Sequence, residues 1–163
     1  MPGVGKTSIG KSLSNLFNLN CIDIDEQIEV KSSESINDII QKKGEATFRA
    51  LEKRELKNTL QNTSPSIIST GGGIIIDDEN RTLIKDSALG VHLQSTAEEI
   101  AERIDVSKRP LLYNTNKIEN LTQLWSKRQN LYKNAAKIEI GINGLTVDEA
   151  TKKIYSEIQN VCS

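Results

Sequence analysis

The segment Gly3-Val4-Gly5-Lys6-Thr7 constrains the fold of this chain more than any other feature of its sequence. Behind it, apolar residues recur at helical spacing and predict a helix with one buried stripe, formed by Ile9, Leu13, Leu16 and Phe17. A glycine-rich turn that leads into a helix presents backbone N–H groups to a phosphate, and the helix dipole favours the anion. We therefore predict that Lys6 reaches the β- and γ-phosphates of a nucleotide and that Thr7 ligates Mg²⁺.

This loop pattern is incomplete in the chain as it stands. The full pattern G-x-x-x-x-G-K-[ST] requires a further glycine five positions before Gly5, and that position would precede Met1. A chance Gly-Lys-Thr at the start of a helix is therefore the alternative to a nucleotide site.

Length and charge balance argue against several classes of protein. A chain of 163 residues is expected to form one domain with a single core. Its 21 basic and 22 acidic residues give a formal net charge of −1, so no basic field indicates nucleic acid or a membrane as a partner. No apolar run approaches the ~18 residues of a spanning helix, and the N-terminus lacks the apolar core of a signal peptide. We expect a cytoplasmic monomer with reduced thiols at Cys21 and Cys162, which lack metal-ligand spacing.

Short β-rich runs alternate with helical patterns along the chain, which predicts a parallel sheet covered by helices. The predicted strands are "CIDID" (21–25), "PSIIST" (65–70), "LGVHL" (89–93) and "KIEIGI" (137–142). The predicted helices include 35–43 and 45–61, and two further helices whose starts carry the spacing of a capping box, Thr96 with Glu99 and Thr146 with Glu149. The last helix is expected to bury Ala150, Ile154, Ile158 and Val161.

The polar span 105–120, which contains Pro110 and three asparagines, predicts a mobile covering loop between two helices. Within it, Arg109 stands beside the proline. An arginine brought in by a closing loop can neutralise charge on a transferring phosphoryl group. The alternative is an ordinary surface arginine.

Two carboxylates close the strand "CIDID". Asp23 and Asp25 both lie at the end of this predicted strand. One could face a metal and the other an acceptor substrate. The alternative is an acidic loop cap.

Two arginines are candidates for binding a substrate carboxylate. Glu45, Arg49 and Glu52 lie on one helical face, where two carboxylates would hold one guanidinium in place. A solvated ladder of ion pairs is the alternative. Arg128 lies on a later helix with Leu124 and Leu131, and from spacing alone a surface role is equally open.

Three consecutive glycines, Gly71 to Gly73, follow the second strand. They allow a ligand to approach the backbone at the carboxyl end of a parallel strand, where open α/β sheets bind ligands. A tight turn is the alternative. His92, the single histidine, is expected to be a satisfied core residue, Trp125 to pack rather than bind a base, and Cys21 to be inert.

Together these stretches resemble the shikimate kinase family, a P-loop branch related to the nucleoside-monophosphate kinases. The match covers nearly the whole chain and keeps the family's order of motifs. The similar segments are "GVGKTSIGKSL", "IDIDEQIE", "INDIIQKKGEATFRALE", "STGGGI", "KRPLL" and "RQNLY". The resemblance implies a three-layer α/β fold with a central parallel sheet and a mobile lid. It also implies ATP-dependent phosphorylation of the 3-hydroxyl of shikimate.

For the nucleotide, the resemblance implies a site built from the loop and two later arginines. Its members would be Gly3, Val4, Gly5, Lys6, Thr7, Ser8, Arg103, Arg109 and Asn143. Arg109 would close over the phosphates and Arg103 would lie against adenine, with the segment 143–147 as the other adenine wall. Thr7 would hold Mg²⁺, and Asp23 would reach the metal through water.

For the acceptor, the resemblance implies that Asp25 binds the hydroxyls and accepts the proton of the attacking one. Arg49 and Arg128 would bind the shikimate carboxylate. Phe48, Glu52 and the backbone of Gly72 and Gly73 would complete the pocket. The implied catalytic residues are Lys6, Asp25 and Arg109.

The chain departs from the family pattern in three places. Asn130 replaces the proline of R-x-P-x-Y, and the stretch from Arg103 to Arg109 is shorter than usual. Family members also carry a strand of about five residues ahead of the loop, in the middle of the sheet. We therefore expect either an apolar strand and a glycine upstream of Met1, or a chain that folds poorly. A related small-acid kinase, such as a gluconate kinase, and an impaired nucleotide-binding domain are the alternatives.

Overall fold

The computed structural model of the chain describes residues 3–103 and 117–162, with the side chains of residues 103 and 117 left out. Arg109 and the predicted lid from 105 to 116 lie outside the described residues. The elements in chain order are α1 (Lys6–Phe17), β1 (Asn20–Asp23), α2 (Ile24–Ser32), α3 (Ile36–Lys43), α4 (Glu45–Leu60), β2 (Ser66–Ser69), a 3-10 turn (Ile74–Ile76), α5 (Asp78–Ser87), β3 (Val91–Gln94), α6 (Ala97–Arg103), α7 (Lys117–Ala135), β4 (Ile138–Gly141) and α8 (Val147–Cys162).

All described strands pair in parallel, as the alternation of strands and helices predicts. β1 pairs with β2 so that Cys21 lies opposite Ile67, and β3 pairs with β4 so that His92 lies opposite Glu139. These pairs form two separate two-stranded sheets. The prediction of parallel strands is confirmed, and within the described residues the sheet layer consists of these two halves.

The helices supply two groups of core residues. Ile9 and Leu13 of α1 pack with Ile154 of α8 and with β3 and β4. Leu56 of α4 packs instead with the 3-10 turn, α6 and α7, where Leu121 is buried. A third, smaller cluster joins α2, α3 and α4. No helix in the described ranges is both long and apolar enough to cross a membrane.

A cavity of about 540 Å³ lies between β2 and β3, and we call it the inter-sheet gap. Its walls include residues 66–69 of β2 and residues 91–93 of β3. Helices from both groups also line it, among them α1 and α4.

The structure corrects several local expectations. Strand β1 ends at Asp23, and Asp25 lies in the first turn of α2 rather than in a strand. Residues 117–120, predicted as the end of the covering loop, form the start of α7. Leu16 is 49% exposed and leaves the predicted stripe of α1. Val161 is likewise exposed at the end of α8.

The two predicted capping boxes differ in how fully they form. At α8, the Thr146 hydroxyl accepts from the Glu149 amide, and the Glu149 carboxylate accepts in return from the Thr146 amide. At α6, the Thr96 hydroxyl accepts from the Glu99 amide at 3.3 Å. The Glu99 carboxylate instead accepts bonds from the Ser95 hydroxyl and the Gly144 amide, both at 2.6 Å. Glu99 therefore ties the start of α6 to the turn before α8.

Candidate active site

The glycine-rich loop has the backbone that its sequence predicts. Gly3 and Gly5 have φ angles of 73° and 88°, a left-handed conformation that glycine adopts without steric cost. Gly5 is the N-cap of α1, so the first amides of that helix follow directly. Between the two glycines Val4 is 1% exposed and belongs to the apolar core around Ile9. Val4 thus anchors the loop to the body of the protein.

The start of α1 and the ends of β1 and β2 surround a second cavity, of about 250 Å³. It is lined by Gly3, Gly5, Lys6, Thr7, Ser8, Asp23, Asp25 and residues 69–72. Residues that are far apart in the sequence therefore meet where the strands end. The predicted nucleotide loop, the two aspartates and the glycine triplet share one site.

Thr7 and Asp23 place two side-chain oxygens next to each other in this cavity. The Thr7 hydroxyl donates to Oδ2 of Asp23 at 2.8 Å. The other oxygen, Oδ1, caps α2 by accepting from the amides of Asp25 and Glu26 at 3.0 and 3.4 Å. A hydroxyl and one carboxylate oxygen suit Mg²⁺, which keeps several waters and needs few protein ligands. Residues 3–103 and 117–162 contain no group of three or more His, Cys, Asp or Glu side chains placed to hold a metal.

The predicted triplet on α4 holds its arginine from two sides. Arg49 donates from Nη1 to Glu52 at 2.8 Å and from Nη2 to Glu45 at 2.9 Å. Its guanidinium also lies over the ring of Phe48, 5.0 Å from the centroid. Glu52 is 1% exposed, and burial raises its pKa although the bond to Arg49 opposes the rise. Arg49 is therefore a fixed cation rather than a member of a solvated ladder.

The glycine triplet lies directly against these charged groups. A β-carbon on Gly73 would lie 2.5 Å from Nη1 of Arg49, and one on Gly71 would lie 3.0 Å from Glu52 and 3.1 Å from Asp25. A β-carbon at Gly73 would force the guanidinium to move, and one at Gly71 would require the two carboxylates to shift by a few tenths of an ångström. The triplet is therefore packed closely against the arginine and the two carboxylates.

Helix α7 also contacts the same triplet. Arg128 donates to the carbonyl of Gly72 at 3.3 Å, and the hydroxyl of Tyr132 donates to the same oxygen at 2.6 Å. The side chains lie four residues apart on one helical face. The structure thus brings Arg49, Arg128 and Asp25 together around the glycine triplet.

Sequence reasoning missed two residues that hold the turn after the triplet. Asn80 is fully buried and donates to the carbonyl of Ile74 at 3.0 Å, while Arg81 donates to Ile75 at 2.6 Å. Both lie in the first turn of α5, behind the Asp77 N-cap. An asparagine on an otherwise amphipathic helix start carries no signal of this role.

The roles of all the predicted nucleotide residues remain predictions, and two of these residues lie away from the start of α1 in the sequence. Asn143 is exposed in the turn between β4 and α8, next to Gly144, whose amide Glu99 holds. Arg103 ends α6, and its side chain lies outside the described residues.

Two further expectations concern Trp125, predicted to pack, and His92, predicted to be a satisfied core residue. Trp125 stacks on His92, which is buried but satisfied only in part, because its Nε2 atom has no hydrogen-bond partner among the described residues.

Comparison with known proteins agrees with this geometry. A family model described as shikimate kinase matches residues 2–159. A shikimate kinase of Dictyoglomus turgidum is 35% identical over 97% of this chain and 93% of its own length, and one of Enterococcus faecalis is 36% identical over 96% and 94%. The solved shikimate kinase of Acinetobacter baumannii in complex with shikimate superposes with a TM-score of 0.92 at 31% identity, covering 97% of this chain and 88% of that one. That of Aquifex aeolicus gives 0.86 at 29% identity, covering 99% and 94%.

These matches confirm the predicted fold class, a P-loop kinase fold with parallel strands, and the predicted class of enzyme. The chain belongs to the shikimate kinase family, whose members phosphorylate shikimate with ATP.

Proposed function

We propose that this chain transfers the γ-phosphoryl group of ATP to the 3-hydroxyl of shikimate, giving 3-phosphoshikimate and ADP. One observation carries the proposal: Arg49 and Arg128 both lie against the glycine triplet, whose Gly71 and Gly72 line the cavity of the phosphate loop together with Asp25. Two fixed cations next to a carboxylate and a phosphate site suit an acceptor with one carboxylate and several hydroxyls.

The nucleotide would bind at the start of α1. Backbone amides of the loop, from Gly3 to Ser8, would face the phosphates, and Lys6 would lie against the β- and γ-phosphates. Mg²⁺ would be held by Thr7 and Asp23, whose oxygens are 2.8 Å apart. When bound, it supplies positive charge that neutralises the phosphate oxygens.

The acceptor would bind between α4, α7 and the glycine triplet. Arg49, already held by Glu52, would pair with the shikimate carboxylate together with Arg128. Phe48 and Glu52 would form the floor of the pocket, because both are buried beside Arg49. The backbone of Gly72 and Gly73 would face the ring.

The chemical step needs positioning and charge neutralisation more than covalent help. The 3-hydroxyl oxygen forms a bond to the γ-phosphorus, and the bond from that phosphorus to the β-phosphate oxygen breaks to release ADP. Asp25 would orient the hydroxyl and accept its proton. Lys6 would neutralise the transferring group together with Arg109, which lies outside the described residues.

We further propose that the chain works as a single domain, with the span 105–120 acting as a lid apart from the residues that start α7. The same proposal covers Mg²⁺ as the metal, a monomeric state, a cytoplasmic location, and the absence of nucleic acid or membrane partners. The near-neutral charge balance supports the last point.

A coupled ADP-release assay with shikimate, with gluconate and with no acceptor tests the function. Release only with shikimate is expected. Equal release with gluconate would favour a broader small-acid kinase, and no release would indicate a nucleotide-binding domain without activity.

Arginine variants test the site. Arg49→Ala and Arg128→Ala should each raise the KM for shikimate by roughly tenfold to a hundredfold, because each removes a charge-assisted bond worth about 1.5–3 kcal/mol. The KM for ATP should change little. Arg54→Ala is the matched control, since Arg54 is exposed on the same helix α4. Equal loss of ATP binding in both site variants would contradict the proposal that these arginines bind shikimate and the phosphate loop binds ATP.

A further inference from the structure

Glu99 joins the loops that follow two neighbouring strands. β3 ends at Gln94 and β4 ends at Gly141, and the two strands are parallel, so the segments after them lie at the same edge of their half-sheet. From the first turn of α6, the Glu99 carboxylate accepts from the Ser95 hydroxyl and from the Gly144 amide, each at 2.6 Å. One side chain therefore holds both loops with charge-assisted bonds.

The turn after β4 stands clear of other side chains. The amide of Leu145 donates to the carbonyl of Ile142 at 3.2 Å and closes the turn, in which Gly144 has a φ angle of 68°. Asn143 and Gly144 are exposed, and a β-carbon on Gly144 would meet nothing within 4 Å. A segment with so little packing of its own moves easily unless it is tied down. The bond from the Gly144 amide to Glu99, 45 positions earlier in the sequence, ties it down.

The phosphate loop and this turn are anchored in the same part of the core. Val4 of the loop and Ile142 of the turn are buried in one apolar cluster, and Leu145 packs against it. Just after the turn, Val147 is 44% exposed and offers apolar surface. The ends of β1 and β2 carry the groups proposed for Mg²⁺ and shikimate. A nucleotide with its phosphates at the loop therefore has the loops after β3 and β4 for its base, at strand ends of the kind that bind ligands in open α/β sheets.

We propose that Glu99 is a positioning residue for the nucleotide, because it holds the turn 142–145 against which the base of ATP binds. The inference rests on the proposed function, since it places the phosphates at the start of α1. Glu99 acts through the backbone of Gly144 and not by contact with the phosphates. Its loss should therefore weaken binding of the base and leave binding of the phosphate chain and of shikimate unchanged.

Calorimetry with two probes separates the base from the phosphates. ATP and inorganic tripolyphosphate carry the same phosphate chain, and each is titrated with Mg²⁺ and without shikimate. For Glu99→Ala the Kd for ATP should rise by roughly fivefold to tenfold, while the Kd for tripolyphosphate should stay within about twofold of the parent. Glu99→Gln keeps an oxygen that can accept from the Gly144 amide and should hold the Kd for ATP within about threefold of the parent.

Glu98→Ala is the matched control, because Glu98 is an exposed neighbour in the same first turn of α6 and carries the same charge. It should leave the Kd for ATP unchanged. In steady-state kinetics, Glu99→Ala should raise the KM for ATP and leave the KM for shikimate unchanged. If Glu99→Ala does not fold, Ser95→Ala decides instead: it removes one of the two bonds that hold the carboxylate and should raise the Kd for ATP by about threefold.

The possible results have distinct consequences. A folded Glu99→Ala chain that binds ATP as tightly as Glu98→Ala would overturn the inference and leave the proposed function intact, as would an unchanged Kd in Ser95→Ala where that variant decides. An equal loss for ATP and tripolyphosphate would also overturn it, because Glu99 would then support the phosphate loop. A parent chain that binds ATP but does not phosphorylate shikimate would refute the proposed function alone. A parent chain that binds neither probe would refute both.

Discussion

Substituting Gly73 with alanine separates the structural and functional roles of the glycine triplet. The backbone of Gly73, with φ −100° and ψ −8°, suits alanine, so the substitution adds no backbone strain. The new β-carbon would lie 2.5, 2.6 and 2.8 Å from Nη1, Nη2 and Cζ of Arg49. Ordinary contact begins at 3.4 Å, so the guanidinium must retreat by about 0.9 Å (3.4 minus 2.5).

That retreat is opposed by the two carboxylates that hold the guanidinium. Moving it lengthens the 2.8 Å bond to Glu52 and the 2.9 Å bond to Glu45. Displacing a charge-assisted bond to the substrate by about 1 Å costs about 1.5–3 kcal/mol, or roughly 10- to 150-fold in the KM for shikimate. The free energy of unfolding should fall by less, about 1 kcal/mol, because the far end of a long side chain can move.

Steady-state kinetics with shikimate and with ATP varied in turn, together with thermal melting, provide the measurement. Gly141→Ala is the control: a β-carbon there meets nothing within 4 Å, and Gly141 is not among the glycines with positive φ. The reasoning is refuted if Gly73→Ala leaves the KM for shikimate within about threefold of the parent while the protein stays folded.

Three further predictions concern other residues of the structure. Asp25→Asn should lower kcat by about 10²-fold or more and keep the KM for shikimate within about tenfold, and near-normal turnover would limit Asp25 to hydrogen bonding. Tyr132→Phe removes the 2.6 Å bond to the Gly72 carbonyl and should cost about 0.5–1.5 kcal/mol of stability by denaturant melting, with the KM for ATP unchanged. An unchanged denaturation midpoint would contradict it. Burial lowers the pKa of His92 in the folded state, although Glu139 opposes the shift. Just below pH 6.5 the unfolded chain therefore binds a proton at His92 that the folded chain does not bind. Stability should therefore fall as the pH drops from about 6.5, and His92→Gln should flatten that fall in calorimetry; parallel curves would contradict it.

Local periodicity was sufficient to predict much of the site. The spacing of Glu45, Arg49 and Glu52 places them on one helical face whatever the rest of the fold does, and the ion pairs follow. The same holds for the Thr146 and Glu149 cap of α8. The positive φ angles of Gly3 and Gly5 follow from the loop pattern.

Contacts set by tertiary structure were harder to predict. Asp25 was placed in a strand because "CIDID" alternates, yet Asp23 ends the strand by capping α2. Glu26, three residues after Asp23, carried a cap signal that the alternation concealed. The bond from Tyr132 to Gly72 spans 60 residues, so no local pattern contains it. The division of the sheet layer likewise depends on how whole strands pack.

The most direct test of the central claim compares shikimate with its methyl ester, using the parent chain and Arg49→Ala. The claim is that Arg49 binds the substrate carboxylate together with Arg128, so removing Arg49 and removing the charge of the carboxylate delete a shared interaction. With the parent chain, the ester should lose roughly 10²-fold in kcat/KM, and with Arg49→Ala it should lose clearly less, because only the interaction with Arg128 remains to be lost. If the two losses multiply instead, the arginine and the carboxylate act independently, and the proposed acceptor site is wrong.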